Sequence, residues 1–178
     1  MPRPPQISSD DLTDALIRVV VDRGLDAVSI RTVAQEAGVS IGAVQHYFAT
    51  KDDLLLAAYT RAIDQVVARA ASLPTEPDAY VRALLRELLP LDAQREAELR
   101  VALAFTARSV HSPRLAELCE AGYRALVDAV AGGLGRSAAI EAVAVADGLA
   151  WHALCAPASL SPDAAAAALD AYLTRVRT

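Results

Sequence analysis

Two thiol–imidazole arrangements in this chain could carry nucleophilic chemistry: Cys155 stands three residues after His152, and Cys119 eight after His111. An activated nucleophile needs a base within hydrogen-bond reach and a backbone that presents it. Neither pair comes with a strained elbow, a phosphate-cradling glycine loop or paired carboxylates in a recognisable motif, so no catalytic residue is assigned. His152 and Cys155, at i and i+3 in a nearly apolar segment, are expected to share a buried face, and His111 to lie in a loop. Three scattered histidines and two cysteines show no metal-ligand spacing, so no metal and no other cofactor is expected. A denser polar set lies between residues 31 and 51. Ser40 and Lys51 fall where helices should begin, and free backbone N–H groups there favour an anion such as phosphate. Gln45 carries the paired donor and acceptor that could bond an adenine edge, and His46 or Tyr47 could reach a phosphate.

These side chains need a scaffold, and residues 29–54 supply one. Ser29 is a good N-cap, with Val33, Ala34 and Ala37 on one face of the helix it opens. Gly38 can take the left-handed conformation that stops that helix, and Val39 can tuck beneath the turn. Ser40 then caps a second helix whose Val44 and Phe48 face back at i and i+4. Gly42, Ala43 and His46 are left on the opposite face, small residues beside one polar tip, which suits a helix approaching the floor of a DNA groove. The physical reading is a helix-turn-helix.

The run Val39-Ser40-x-Gly42-Ala43-Val44-x-x-x-Phe48-x-x-Lys51-x-x-Leu54 resembles the DNA-binding signature of the tetracycline-repressor (TetR) family, a signature covering roughly the first third of a chain. The remainder resembles the C-terminal helical domain of the BetI-like subgroup, through Ala146-Asp147-Gly148-Leu149 and Leu169-Asp170-Ala171-Tyr172-Leu173. Gln45 departs from the pattern, since the family usually has an aromatic there; position 45 therefore either grips a phosphate or reads a base. The resemblance implies DNA contact by Arg31, Thr32, Ser40, Ile41, Gly42, Ala43, Gln45, His46, Tyr47 and Lys51. It also implies a repressor that binds a palindromic double-stranded operator as a homodimer and is released by a small-molecule inducer. The alternative is a helical small-molecule-binding or enzymatic protein without operator binding, which an assay for ligand turnover would separate.

Composition narrows the class. Hydrophobic residues make up 54% of the 178 and aromatics only 4%, the profile of an alanine–leucine helical protein rather than a β fold. Lys51 is the only lysine among 17 basic residues, so arginine abundance reflects a codon preference more simply than an affinity for nucleic acid. Residues 1–53 carry a net charge of −3 and the rest −2. A DNA-binding part is usually basic. Asp10, Asp11, Asp14, Asp22 and Asp26, however, lie in or just after the first helix, so few phosphate contacts and salt-sensitive binding are expected. The first residues, Met1-Pro-Arg-Pro-Pro-Gln, lack the apolar core of a signal peptide, and no run approaches the ~18 consecutive apolar residues of a membrane span. A cytoplasmic protein with reduced thiols is expected.

Along the chain, residues 1–7 are proline-rich and expected to be mobile, and a first helix should run from about Ser9 to Arg23. Thr50 and Asp53 form a capping pair for a fourth helix reaching about Ser72. Proline then marks the boundaries: Pro74 and Pro77 before a fifth helix, Pro90 after it, and Asp92 capping a sixth to about Val110. Ser112-Pro113 opens a seventh, which Gly132, Gly133 and Gly135 should end near Ala131. An eighth, about Ala138 to Leu154, is apolar almost all round, and Ser161-Pro162-Asp163 opens a ninth. The fold class is all-α, with about nine helices. The functional division is placed at residue 53: residues 1–53 for DNA binding, 54–178 for ligand binding and dimerisation.

Trp151 and His152 on the eighth helix, with Tyr59, Phe105 and Tyr123, are the candidate lining of an apolar ligand pocket; core aromatics are the plainer reading of each alone. Asp147-Gly148, with the ninth-helix stripe Leu169, Tyr172, Leu173 and Val176, is the candidate dimer seam, because a mid-helix glycine permits close helix approach.

Overall fold

The computed structural model describes residues 7–176, so the expectation for the proline-rich start lies, apart from residue 7, outside the described residues. Nine α-helices and a short 3-10 turn (Leu25–Ala27) are formed, with no strand among the described residues: α1 (Ser9–Arg23), α2 (Ile30–Ala37), α3 (Ile41–Tyr47), α4 (Lys51–Ala70), α5 (Pro77–Arg86), α6 (Ala93–Ser109), α7 (Pro113–Leu134), α8 (Arg136–Cys155) and α9 (Pro162–Val176). The all-α expectation is met.

The chain divides into two compact units. The first takes residues 1–63 together with 100–115; the second takes 64–99 and 116–178. In the first, the apolar stripe of α1 (Leu12, Leu16, Val19) meets Val33 of α2, Val44 of α3, Leu54 and Ala58 of α4, and Val101 and Ala104 of α6. Packing thus draws a distant stretch of sequence beneath the helix-turn-helix. The division at residue 53 concerns function and is a separate matter.

In the second unit, Val81, Leu84 and Leu85 of α5 pack with Val127 and Val130 of α7, Ala142, Val143 and Ala146 of α8, and Leu169 and Leu173 of α9. Leu169 and Leu173 are 0% exposed, so their place is this core and not a seam between chains. Of the four residues of that stripe, α5 and α8 of the same chain cover the two leucines, while Tyr172 and Val176 stay half-buried. A second correction concerns α7, which runs through Gly132 and Gly133 to Leu134. Gly133 is explained by close packing: a Cβ there would sit 2.8 Å from Val81 Cγ2 and 3.2 Å from the carbonyl oxygen of Pro77. The stop comes at Gly135, whose φ of 79° suits glycine. Third, His152 and Cys155 do not share a buried face, because both are exposed.

By length and mean hydropathy α8 is apolar enough to cross a bilayer. Its face of Ala139, Ala142, Val143, Ala146, Ala150 and Ala153 is core, whereas Ile140, Ala144, Gly148 and Trp151 remain uncovered within the chain.

An ion network lies inside the second unit. Glu87, 8% exposed, accepts from both Arg69 and Arg95, and Arg69 also forks onto Glu98, its Nη1 and Nη2 at 2.8 and 2.6 Å from the two carboxylate oxygens. Burial raises the Glu87 pKa, but hydrogen bonds from Arg95 and then Arg69 outweigh it and hold the carboxyl below the ordinary glutamate range. A depressed folded-state pKa contributes stability above the unfolded value and loses it as pH falls through the folded one. Melting temperature should therefore decline as pH drops below about 4.3, and Glu87→Gln should flatten that decline. An unchanged acid slope in Glu87→Gln would remove this residue from the balance.

Candidate nucleic-acid interface

The local physics of the reading helix is fully visible. Ser29 caps α2, accepting from Thr32 N at 3.1 Å, while the Thr32 hydroxyl accepts from Ser29 N at 2.9 Å and donates to Ala27 O at 2.7 Å. Gly38 closes α2 in the left-handed region at φ 69°, and Val39 N donates to Ala34 O at 2.9 Å. Ser40 Oγ accepts from Ala43 N at 3.1 Å, which opens α3 and leaves the Ser40 hydroxyl proton for an outside acceptor. Val44 and Phe48 are buried, anchoring α3 from beneath.

What remains outward is Ser40, Ile41, Gly42, Gln45, His46 and Tyr47, all exposed, with Ala43 half-buried at their edge. Exposed Ile41 is an apolar tip of the kind that meets a thymine methyl. A Cβ on Gly42 would meet only Ser40 Oγ, at 3.9 Å, so the fold itself does not require glycine here. Its smallness instead keeps the α3 surface low. The Tyr47 hydroxyl donates to Ile7 O at 2.8 Å, which commits its proton to the chain leading into α1. The His46 ring stands edge-on to Tyr47 with centroids 5.1 Å apart.

The charges explain how an acidic segment can still face an anion. Asp14 of α1 pairs with Arg61 at 2.9 Å, and Asp10 at 3.4 Å, so both turn toward α4. Glu36 holds both Arg18 and Arg23, each at 3.0 Å. Arg31 is exposed and makes no ion pair among the described residues. Lys51 Nζ donates to the carbonyl of Leu25 at 3.0 Å, an acceptor that leaves its charge uncancelled. Among the described residues, Arg31 and Lys51 are the cations that this surface has to offer. Thr32, by contrast, is half-buried in the α2 cap.

The other predicted sites separate. Tyr59 and Phe105 come together in the first unit, stacked with centroids 3.9 Å apart and Phe105 wholly buried. Tyr123, Trp151 and His152 belong to the second unit and are exposed. Asp147 and Gly148 lie on the uncovered face of α8, while Tyr172 and Val176 are half-buried on α9. Sequence reasoning found Asp53 as the capping partner of Thr50 but missed the ion pairs of Asp52 with Arg108 (2.9 Å) and of Asp53 with Arg114 (2.5 Å). Nothing local signals such pairs, since the partners lie more than fifty residues away. Among the described residues no group of three or more His, Cys, Asp or Glu is placed to hold a metal ion.

A capped helix-turn-helix with a low outward face and two available cations defines a DNA-binding protein. Residues 12–58 match the bacterial regulatory proteins of the tetR family, and residues 77–178 match the BetI-type transcriptional repressor C-terminal domain. The chain belongs to the TetR family and is a DNA-binding transcriptional regulator, not an enzyme. It is 30% identical over 166 residues to the regulator PksA of Bacillus subtilis, covering 85% of this chain and 81% of that one. It is 33% identical over 126 residues to the regulator BetI of Burkholderia mallei, covering 68% of this chain and 64% of that one. A solved transcriptional regulator from Rhodococcus sp. Rha1 shares 36% identity at a TM-score of 0.88, with 96% of each chain covered. The multidrug binding protein EbrR, solved with ethidium, shares 26% identity at a TM-score of 0.73, covering 95% of this chain and 98% of that one.

Proposed function

We propose that the protein is a cytoplasmic repressor that binds a palindromic operator as a homodimer and leaves it when a small molecule binds. The observation that carries the DNA reading is the exposed α3 face of Ser40, Ile41, Gly42, Gln45 and His46 above buried Val44 and Phe48. In this reading α3 lies in the major groove, Gln45 reads a base edge, Ser40 and His46 hold phosphate, and Arg31 and Lys51 supply the charge. Tyr47 packs rather than reads, because its hydroxyl is given to Ile7.

Dimerisation is assigned to the uncovered stripe Ile140, Ala144, Gly148 and Trp151 of α8, with the small exposed Ala164, Ala168 and Ala171 of α9 beside it. A Cβ on Gly148 meets nothing within 4 Å inside its own chain, so packing within the chain does not account for that glycine. Close approach of a second copy does. Trp151, 53% exposed, thereby moves from the pocket to the interface. Release by a small molecule is supported by the BetI-type repressor match and by the ethidium-bound relative. Tyr59 and Phe105 stay as candidate ligand contacts.

The test uses a duplex selected from a random-sequence pool by the protein itself, titrated at several salt concentrations. Two cations per protomer give a slope of log K against log salt of about −2 per protomer. Lys51→Ala should flatten the slope by about one unit per protomer and weaken random DNA as much as the selected duplex. Gln45→Ala should cost about 1–3 kcal/mol on the selected duplex alone. Equal losses on both DNAs would sink the base-reading role of Gln45.

A further inference from the structure

Three consecutive residues at the start of α4 each tie it to a different part of the first unit. Lys51 reaches back to the carbonyl of Leu25. Asp52 accepts from Arg108 Nε at the end of α6 at 2.9 Å and from the hydroxyl of Ser112, just before α7, at 3.1 Å. Asp53 divides its oxygens: one accepts from Thr50 N and Oγ1 at 3.0 and 2.8 Å, the other from Arg114 in the first turn of α7 at 2.5 Å. These bonds, Arg114 first and then Thr50, hold the Asp53 carboxyl below the ordinary aspartate range. Only Ala49 and Thr50 separate this knot from Phe48, the last anchor of α3.

Two consequences follow from that placement. The α6–α7 corner sets where α4 begins, and hence how the adjoining α3 is presented. Both carboxylates beside Lys51 are also neutralised while the pairs are closed, so an approaching phosphate meets the lysine rather than a run of bare negative charge. The chain leaves the first unit after residue 63, re-enters it at 100 and leaves again after 115, so the corner sits between two of the three crossings. We propose that Asp52–Arg108 and Asp53–Arg114 form a charge latch at the α6–α7 corner that holds α3 and Lys51 in the DNA-reading arrangement. Arg108, Arg114, Asp52 and Asp53 are positioning residues, not DNA contacts. Side chains of Arg108 and Arg114 are 45% and 62% exposed. Such pairs add little to overall stability, which is what a contact that opens readily requires.

The inference rests on the DNA-binding reading, and a charge swap tests it on the selected duplex. Asp52→Arg adds positive charge near the DNA, so simple electrostatics would tighten binding. The latch demands the reverse, a loss of roughly tenfold, because two guanidinium groups then face each other. Arg108→Asp should lose a similar factor, and the double variant Asp52→Arg/Arg108→Asp should recover to within about threefold of wild type. The pair Asp53→Arg and Arg114→Asp provides the same cycle independently, should either first variant lose helicity by circular dichroism. Tighter binding by Asp52→Arg, or a double variant no better than its worse single, would overturn the latch while leaving the DNA reading intact. A wild-type chain that selects no sequence would overturn both.

Discussion

Leu173→Glu is expected to unfold the second unit rather than to split a dimer. Leu173 is 0% exposed and packs in the core with α5 and α8 residues such as Leu85 and Val143. Removing a buried leucine side chain alone costs about 2–5 kcal/mol. Burying a carboxylate with no partner adds more, unless the site opens to water. A domain is stable by only about 5–15 kcal/mol, so the combined effect consumes most or all of the margin. Circular dichroism at 222 nm should show lost helix at room temperature, and Leu173→Ala should melt well below wild type while keeping its helicity. Retention of wild-type helicity and melting temperature by Leu173→Glu, together with monomers in sedimentation, would return Leu173 to an interface.

That reversal shows what sequence can and cannot reveal in a helical protein. The helix-turn-helix was legible because its signals are local: Ser29 and Ser40 cap within three residues, Gly38 takes the positive φ that the turn demands, and Thr50 and Asp53 bond each other. Periodicity found the Leu169–Leu173 stripe of α9 correctly but could not say which surface covers it. The helix has two usable faces, leucines on one and Ala164, Ala168 and Ala171 on the other. The larger residues went inward, where they fill the space among α5, α7 and α8, and the small ones stayed outside. In α8, where most positions are apolar, residue type says little about facing, and Trp151 fits a pocket lining as well as the outer face it takes. Gly132 and Gly133 read as a stop because glycine is a poor helix former. Packing against Val81 and Pro77 demanded a side chain of zero size at Gly133, and the helix continues through it. The Asp52 and Asp53 pairs were invisible because opposite charges in a chain rich in both find partners only after the fold has chosen them.

Trp151→Glu should leave each chain folded and remove most of its operator affinity. Trp151 is 53% exposed and Ile140 43% exposed on the same stripe of α8, so neither holds its own chain's core together. An exposed side chain can be replaced with changes usually within about 0.5 kcal/mol of wild-type stability. In the proposed dimer the same tryptophan lies on the α8 stripe that each protomer presents to the other. A glutamate there carries an unpartnered charge from each protomer into a desolvated seam, and the seam opens. Each protomer must then find its half-site alone, which forfeits the effective-concentration advantage of a linked pair, about 10²–10⁴ in affinity. Residues 29–51 are untouched, so binding to random DNA should fall far less than binding to the selected duplex. Sedimentation at micromolar concentration should show monomers, while the melting curve, read for the fold alone, keeps its helical amplitude. A Trp151→Glu variant that remains dimeric and binds the selected duplex at wild-type strength would move the interface off this stripe. Loss of DNA binding accompanied by collapse of the helical signal would instead make Trp151 part of its own chain's fold, against its exposure.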